Sequence, residues 1–177
     1  MLTRKYTNSE IKLLLSSIVI IIDSREKVNA HITKEFDKMN IKYIVRKLQF
    51  ADYSFYLPKN EALDIMDDIS FENNVSIERK ANANELAGNY STTRKQFENE
   101  HQRHQGKMIL MIEDDTYSDI QRHNYRSKLK PDPFTASMHS WQHKYDVPFI
   151  FIEKQYSAEY IYNTFKYWLR AYLETHK

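Results

Sequence analysis

Three carboxylates and one lysine stand where a rigid backbone could aim them at a single point. Asp23 is the first polar residue after the apolar run Ile18-Val19-Ile20-Ile21-Ile22. Asp52 opens the segment Tyr53-Ser54-Phe55-Tyr56-Leu57, and Glu78-Arg79-Lys80 closes Val75-Ser76-Ile77. Side chains two apart on a strand share a face, so Glu78 and Lys80 point the same way. Strand ends at the open edge of a sheet let such groups converge while the backbone stays fixed. Hydrolysing a phosphodiester needs charge neutralised on the transferring phosphate and hydroxide produced near neutral pH. Hard divalent cations held by a few oxygen ligands do both, and Mg²⁺ suits such sites with its water-rich shell. One member of the Glu78–Lys80 pair could then bind metal while the other reaches a metal-bound water or the phosphate. Taken singly, each residue has a blander reading as a cap, a surface ion pair or a solvated edge.

The elements that must position these groups follow from hydrophobic period. Tyr6 to Ser16 has helical spacing, with Ser9 as a candidate cap, and Ile18 to Ile22 is β-branched and apolar on both faces, which suits a strand covered on both sides. A helix from about Val28 to Met39 follows, then Tyr43-Ile44-Val45 and Tyr53 to Leu57 as a pair of strands. Pro58 to Asn74 is a polar, acidic excursion with a helical turn, ahead of the strand Val75 to Ile77. Helices are expected near Glu85 to Asn89 and from Thr93 to His104, then a strand at Met108 to Ile112. A basic irregular stretch from Arg122 to Lys130 precedes a helix starting near Pro133. Phe149 to Ile152 is the last strand, and a helix from about Ala158 to Thr175 comes last. Strands alternating with helices make an α/β fold with a mixed central sheet.

Composition sets bounds. The 177 residues fit a single domain, 1–177, at roughly 100–200 residues per domain. With 41% hydrophobic and 28% charged residues a packed core is available, and 2 Gly and 4 Pro leave no linker-like stretch. The absence of Cys excludes a disulfide framework, thiolate zinc and cysteine catalysis, and suits a reducing cytoplasm. A net charge of +2 puts any nucleic-acid binding in local clusters instead of the whole surface. The run Leu13 to Ile22 is too short to span a bilayer and enters Asp23-Ser24-Arg25-Glu26 with no cleavage-type residues, so no membrane segment is expected.

Ile22-Asp23-Ser24-Arg25-Glu26, then Ala51-Asp52-Tyr53, then Ile77-Glu78-Arg79-Lys80 resemble the nuclease motifs of the XPF, Hef and Mus-type structure-specific endonucleases. In that family Asp-x-Arg-Glu precedes Gly-Asp-Tyr or similar, then Glu-Arg-Lys and a nearby Asp. The resemblance runs on through the helix with Arg94 and Phe97 to Leu110-Met111-Ile112-Glu113, and spans about Ile18 to Ile152. It implies a restriction-endonuclease-like fold, a mixed central sheet flanked by helices, and Mg²⁺- or Mn²⁺-dependent cutting of DNA near junctions in branched duplexes. By position Asp23, Asp52 and Glu78 resemble the metal-binding acids and Lys80 the catalytic lysine. Arg25, Glu26 and Arg79 would form the supporting polar shell. Arg25 or Arg79 could steer a phosphate and Glu26 orient a neighbour or a metal water, or they could simply pair with one another. Ala51 replaces the family's usual Gly, which restricts the backbone there. The family's Asp after Lys80 falls at Asn84, or at Glu85 with one residue inserted. Active members carry tandem helix-hairpin-helix motifs after this domain. Nothing after Ile152 resembles them, so a stand-alone catalytic domain is expected, and branch selectivity does not follow from the resemblance.

Basic clusters are candidate DNA contacts: Arg94 and Lys95 with Arg103, His104 and Lys107, and Arg122, Arg126, Lys128 and Lys130 around Tyr125. A helix face paired with Glu98 and Glu100 is the alternative for the first. His139 and His143 have zinc-ligand spacing, but no further ligand completes a site. The last helix places Ile161, Phe165, Trp168, Leu169 and Tyr172 on a core stripe. Tyr160, Tyr162 and Tyr167 around it suggest a homodimer surface. The competing function is a non-catalytic DNA-binding or scaffold subunit, and a restriction-type or repair nuclease keeps the same chemistry. The Asn-, Lys-, Ile- and Tyr-rich composition would suit a phage or low-GC bacterial protein acting in repair or recombination.

Overall fold

A computed structural model describes residues 4–104 and 106–175. The chain begins with α1 (Asn8–Ser16), whose start is fixed by a capping box. Thr7, not Ser9, is the cap: its hydroxyl accepts from Glu10 N while the Glu10 carboxylate accepts from Thr7 N at 2.7 Å. Next come β1 (Val19–Asp23), α2 (Ala30–Lys38), β2 (Tyr43–Arg46) and β3 (Tyr53–Leu57). The acidic excursion holds a 3-10 turn (Glu61–Leu63) and a short strand, β4 (Ile69–Ser70), before β5 (Val75–Lys80). Then follow α3 (Ala83–Ser91), α4 (Arg94–Arg103), β6 (Lys107–Glu113), α5 (Tyr117–Gln121), α6 (Pro131–Tyr145), β7 (Phe149–Ile152) and α7 (Ser157–Thr175). α6 starts two residues earlier than expected, because Pro is well suited to a first turn that lacks donors to lose.

Among the described residues the strands form one sheet in the order β2-β1-β3-β5-β6-β7, with β4 added beside β3. β1 and β2 are parallel, as are β5, β6 and β7, and β3 runs antiparallel to both β1 and β5. β2 and β3 are therefore not partners of each other, as the sequence suggested; β1 lies between them. Its all-apolar run explains the placement, since Ile20, Ile21 and Ile22 are fully buried and only an inner strand hides both faces.

Alternate residues feed two cores. On one face α1, α2 and α7 cover Ile20, Ile22, Phe55, Ile77 and Met111. On the other, α3 to α6 cover Met108, Leu110 and Ile112, with Phe134 and Trp141 at the centre. Fully burying one such aliphatic or aromatic side chain is worth about 1.5–3 kcal/mol, so the central strands are held firmly. The antiparallel β3 has a second consequence. Its first residue lies at the same edge of the sheet as the last residues of β1 and β5.

Candidate active site

That edge is where the three carboxylates fall. Asp23 ends β1, Asp52 precedes β3, and Glu78 lies near the end of β5. Backbone hydrogen bonds tie them into a row: Asp23 N donates to Asp52 O at 2.8 Å, and Asp52 N to Ile77 O at 3.1 Å. Spacings of tens of residues thus become neighbouring positions.

The three side chains have different surroundings. Asp23 is buried and fully engaged. Its Oδ1 accepts from the Arg25 backbone N at 2.6 Å and Nε at 2.9 Å; Oδ2 accepts from Arg25 Nη2 and Leu48 N, each at 2.8 Å. Burial alone would raise its pKa, but these hydrogen bonds outweigh it and hold the carboxyl below the usual aspartate value. Arg25 itself is mostly exposed, so this ion pair forms one wall of an open cleft.

Asp52 and Glu78 lie deeper in that cleft, a space of about 210 Å³ also lined by Phe50, Glu100, His101 and Met108. Asp52 Oδ2 accepts from Arg79 N at 2.8 Å. Desolvation first, and then the Glu78 carboxylate, push its pKa well above the aspartate range, against the pull of Lys80. The buried Lys80 ammonium donates to Glu78 Oε1 at 2.6 Å and lies 3.8 Å from Glu85 Oε1, beside the Phe97 ring. Burial alone would lower its pKa, yet Glu78, Asp52 and Glu85 together hold it above the usual lysine value. Glu85, rather than Asn84, is therefore the acid near Lys80, and it also accepts from Ala81 N at the start of α3.

Arg79 points to the opposite face of β5. Its guanidinium is buried, donating to Glu113 Oε2 at 2.6 Å and to Glu26 Oε1 at 3.3 Å. Glu113 Oε1 takes Ser157 Oγ at 2.6 Å and pairs with His31 Nε2 at 2.8 Å. Burial would raise the Glu113 pKa, but Arg79, Ser157 and His31 bring it below the usual glutamate value. Desolvation keeps Glu26 raised despite Arg79. Arg79 and Glu26 are thus joined in a buried network, the pairing that the sequence left open for them. Neither lines the cleft.

Two carboxylates in a cleft, one of them protonated more readily than usual because burial and its neighbour outweigh the pull of Lys80, fit a hard cation. A cation would add the positive charge that Lys80 alone does not supply and leave room for several waters, as Mg²⁺ retains. Asp23 is committed to Arg25 and Leu48. Among the described residues no set of three or more Asp, Glu or His side chains is gathered for a metal ion. His139 and His143 are exposed, and His139 lies beside Tyr117 OH.

The basic candidates are dispersed. Arg94 lies over Trp141, 4.8 Å from the ring centroid, and donates to Ser137 Oγ; Lys95 is exposed. Arg122, Arg126, Lys128 and Lys130 are all exposed. Asn84 holds their loop, its Oδ1 accepting from Arg126 N at 2.6 Å and Ser127 N at 3.0 Å, and Tyr125 OH donates to Leu129 O. Asn84, which stands near the family's Asp position, therefore ties this basic loop to the helix that follows Lys80. Sequence reasoning did not single out His101, His31 or Ser157, and named Glu100 only as an ion-pair partner on its helix; none lies in a motif, and only the packing of α2, α4 and α7 brings them in.

A seven-stranded mixed sheet with acids at the β1, β3 and β5 ends defines a nuclease-type α/β fold. The family model for the ERCC4 domain matches residues 22–164, and the chain belongs to that family of XPF-type nuclease domains. The structure is similar to XPF from Aeropyrum pernix, with a TM-score of 0.62 at 15% identity, over 86% of this chain and 65% of that one. It is likewise similar to XPF from Aeropyrum pernix in complex with DNA, with a TM-score of 0.62 at 14% identity, over 86% of this chain and 66% of that one. The chain thus spans slightly less than two thirds of these relatives. No curated protein matches it. No helix among the described residues is long and apolar enough to cross a membrane.

Proposed function

We propose that the chain is a Mg²⁺- or Mn²⁺-dependent DNA endonuclease that hydrolyses phosphodiester bonds near branches, flaps or junctions, in repair or recombination. The observation that carries this reading is the pair Asp52 and Glu78, facing one cleft beside Lys80 at the strand ends of an ERCC4 domain. Asp52 and Glu78 would hold the cation. It would supply a water acidic enough to yield hydroxide near neutral pH and positive charge for the phosphate. Lys80, kept charged by its neighbours, adds positive charge where the transferring phosphate gains negative charge. Arg25 at the mouth offers a donor to the DNA backbone while bracing Asp23. Asp23, as it stands, supports the strand ends; entering the metal's shell would require it to leave Arg25.

The basic loop from Arg122 to Lys130 tracks the DNA backbone in this reading, being exposed and tied to α3. The XPF relative solved with DNA is consistent with that partner.

A second reading, a non-catalytic DNA-binding or scaffold subunit, draws on the commitment of Asp23 to Arg25. Labelled duplexes, flaps, forks and four-way junctions incubated with Mg²⁺, Mn²⁺ or EDTA separate the two. Metal-dependent cleavage of branched substrates is expected; binding without cleavage under every condition would leave the scaffold reading.

A homodimer also belongs to the proposal, though its surface is narrower than the sequence suggested. Tyr160, Tyr162, Trp168 and Tyr172 pack on the monomer's own core, leaving exposed Tyr167 on α7 and Tyr156 beside the edge strand β7. Sedimentation equilibrium should give twice the 21.3 kDa chain mass at micromolar concentration; a mass that stays at the monomer value with and without forked DNA would remove the dimer.

A further inference from the structure

His101 lines the cleft from α4 and is only 6% exposed. Its Nδ1 lies 2.8 Å from Phe97 O. A carbonyl can only accept, so Nδ1 carries the proton and donates. The ring is packed edge-on against Phe97 at 4.4 Å and lies near Trp141 and Tyr145, which leaves little freedom to turn. Nε2 is consequently a buried lone pair, and no partner among the described residues meets it. A buried acceptor without a donor costs free energy until one arrives.

No donor of the described cleft residues reaches Nε2. Asp52, Glu78 and Glu100 are carboxylates, Arg25 braces Asp23, Lys80 donates to Glu78, and Gln49, the remaining polar side chain of the lining, is exposed. A phosphate oxygen is another acceptor and offers Nε2 nothing. A water polarised by a cation is a donor of the right kind. We propose that His101 Nε2 accepts a hydrogen bond from a water in the hydration shell of the divalent cation held by Asp52 and Glu78. His101 is then a positioning residue, acting on the cation through that water. Burial also lowers the imidazole pKa, which keeps a second positive charge away from the metal. The inference rests on the metal-dependent reading above and adds a residue that lies in none of the motifs.

Titration of the DNA-free protein with Mn²⁺, followed by water-proton relaxation, tests it without reference to cleavage. Outer-shell partners of a metal are typically worth about 10–100-fold in affinity, so His101→Phe and His101→Met should each weaken Mn²⁺ binding by roughly tenfold or more, while His101→Gln, whose amide oxygen can accept, should stay within about threefold of wild type. Two apolar variants of different shape are used so that one folded protein suffices, as judged by thermal melting without metal. Apolar variants that fold and bind Mn²⁺ as wild type does would overturn the assignment of His101 alone. A wild-type protein that binds no Mn²⁺ would overturn both this inference and the metal-dependent function. Loss in all three variants, Gln included, would mean a packing role for the ring and would equally overturn the hydrogen bond.

Discussion

The two faces of β5 handle charge in opposite ways. On one face Arg79 is buried against Glu113 and Glu26, with Ser157 donating to the other Glu113 oxygen and His31 beside it. On the other, Glu78 and Asp52 share a cleft, burial and Glu78 push Asp52 toward its protonated form, and His101 Nε2 has no partner among the described residues. Burial alone does not separate these faces, since Arg79 and Lys80 are 4% and 5% exposed. The carboxylates do: partners in the chain hold Glu113 below the usual range, whereas burial and Glu78 push Asp52 above it despite Lys80. A carboxylate answered within the chain braces the fold, whereas one left short of positive charge has room for a cation that the chain does not supply.

Substitution at the open face should give the largest effect and a telling combination. Asp52→Asn and Glu78→Gln should each abolish cleavage in Mg²⁺. The raised pKa of Asp52 means that the folded state binds its proton more tightly than the unfolded chain. Its contribution is therefore neutral below the ordinary carboxylate pKa of about 3.9, and becomes a growing destabilisation as pH rises toward the raised folded value. Asp52→Asn should accordingly raise the metal-free melting temperature at pH 7, and the gain should vanish in acid. Cleavage at near wild-type rate would end the site assignment, and a lower melting temperature at pH 7 would put Asp52 with the bracing face.

Lys80 tests whether the open face contributes charge in the transition state. Removing one oriented charge of this kind typically costs about 10²–10³ in rate, so Lys80→Ala should lower turnover by that factor, with a much smaller change in Mn²⁺ affinity. Single-turnover rates and the Mn²⁺ titration decide it. Unchanged turnover would reduce Lys80 to a partner of Glu78.

The bracing face should fail in the reverse manner. Breaking a buried ion pair by removing one partner costs about 3–5 kcal/mol because the other charge is stranded. Glu113→Gln should destabilise toward the lower end of that range, since Glu26 remains near Arg79 at 3.3 Å. Urea unfolding at pH 7 reads this directly. A loss below about 1 kcal/mol, the scale of an exposed pair, would mean that the network is incidental to stability.

Much of this was legible in the sequence because it rests on local signals. The β-branched apolar run at Ile18 to Ile22 and the aromatic-rich segment Tyr53 to Leu57 are strand signals in themselves, and the Glu78-x-Lys80 spacing follows from the two-residue period of a strand. The motifs likewise placed Asp23, Asp52 and Glu78 correctly at strand ends. Strand neighbours were less legible: β1 separates β2 from β3 because both of its faces and both of its edges had to be covered, which no local pattern states. The division of labour among the acids was hidden too. It depends on Leu48 N and the Arg25 guanidinium reaching Asp23, and on α4 bringing His101 to the cleft. A motif records which residue stands at a position, not whether its oxygens are already taken.

Ala51 carries the smallest expected effect and sharpens the comparison at the backbone. It has φ of 57°, in the left-handed region, directly before Asp52. The other non-glycine residues found there are Asn40, Asp64, Asp114, His123 and Asp146, and short polar side chains at most of these positions ease that conformation through local hydrogen bonds. Alanine has no such means. The motif's expectation of a merely restricted backbone thus becomes a strained one, next to the residue whose charge is also uncompensated. A left-handed L-residue costs roughly 1–2 kcal/mol, and glycine's extra freedom in the unfolded chain returns about 0.4–1 kcal/mol of that, so Ala51→Gly should stabilise by roughly 0.5 kcal/mol. For a chain of this size that is about 1–2 °C in melting temperature. Differential scanning calorimetry can resolve it. A variant less stable than wild type would show that Ala51 is held without strain, and that the open face carries its cost in the carboxylates alone.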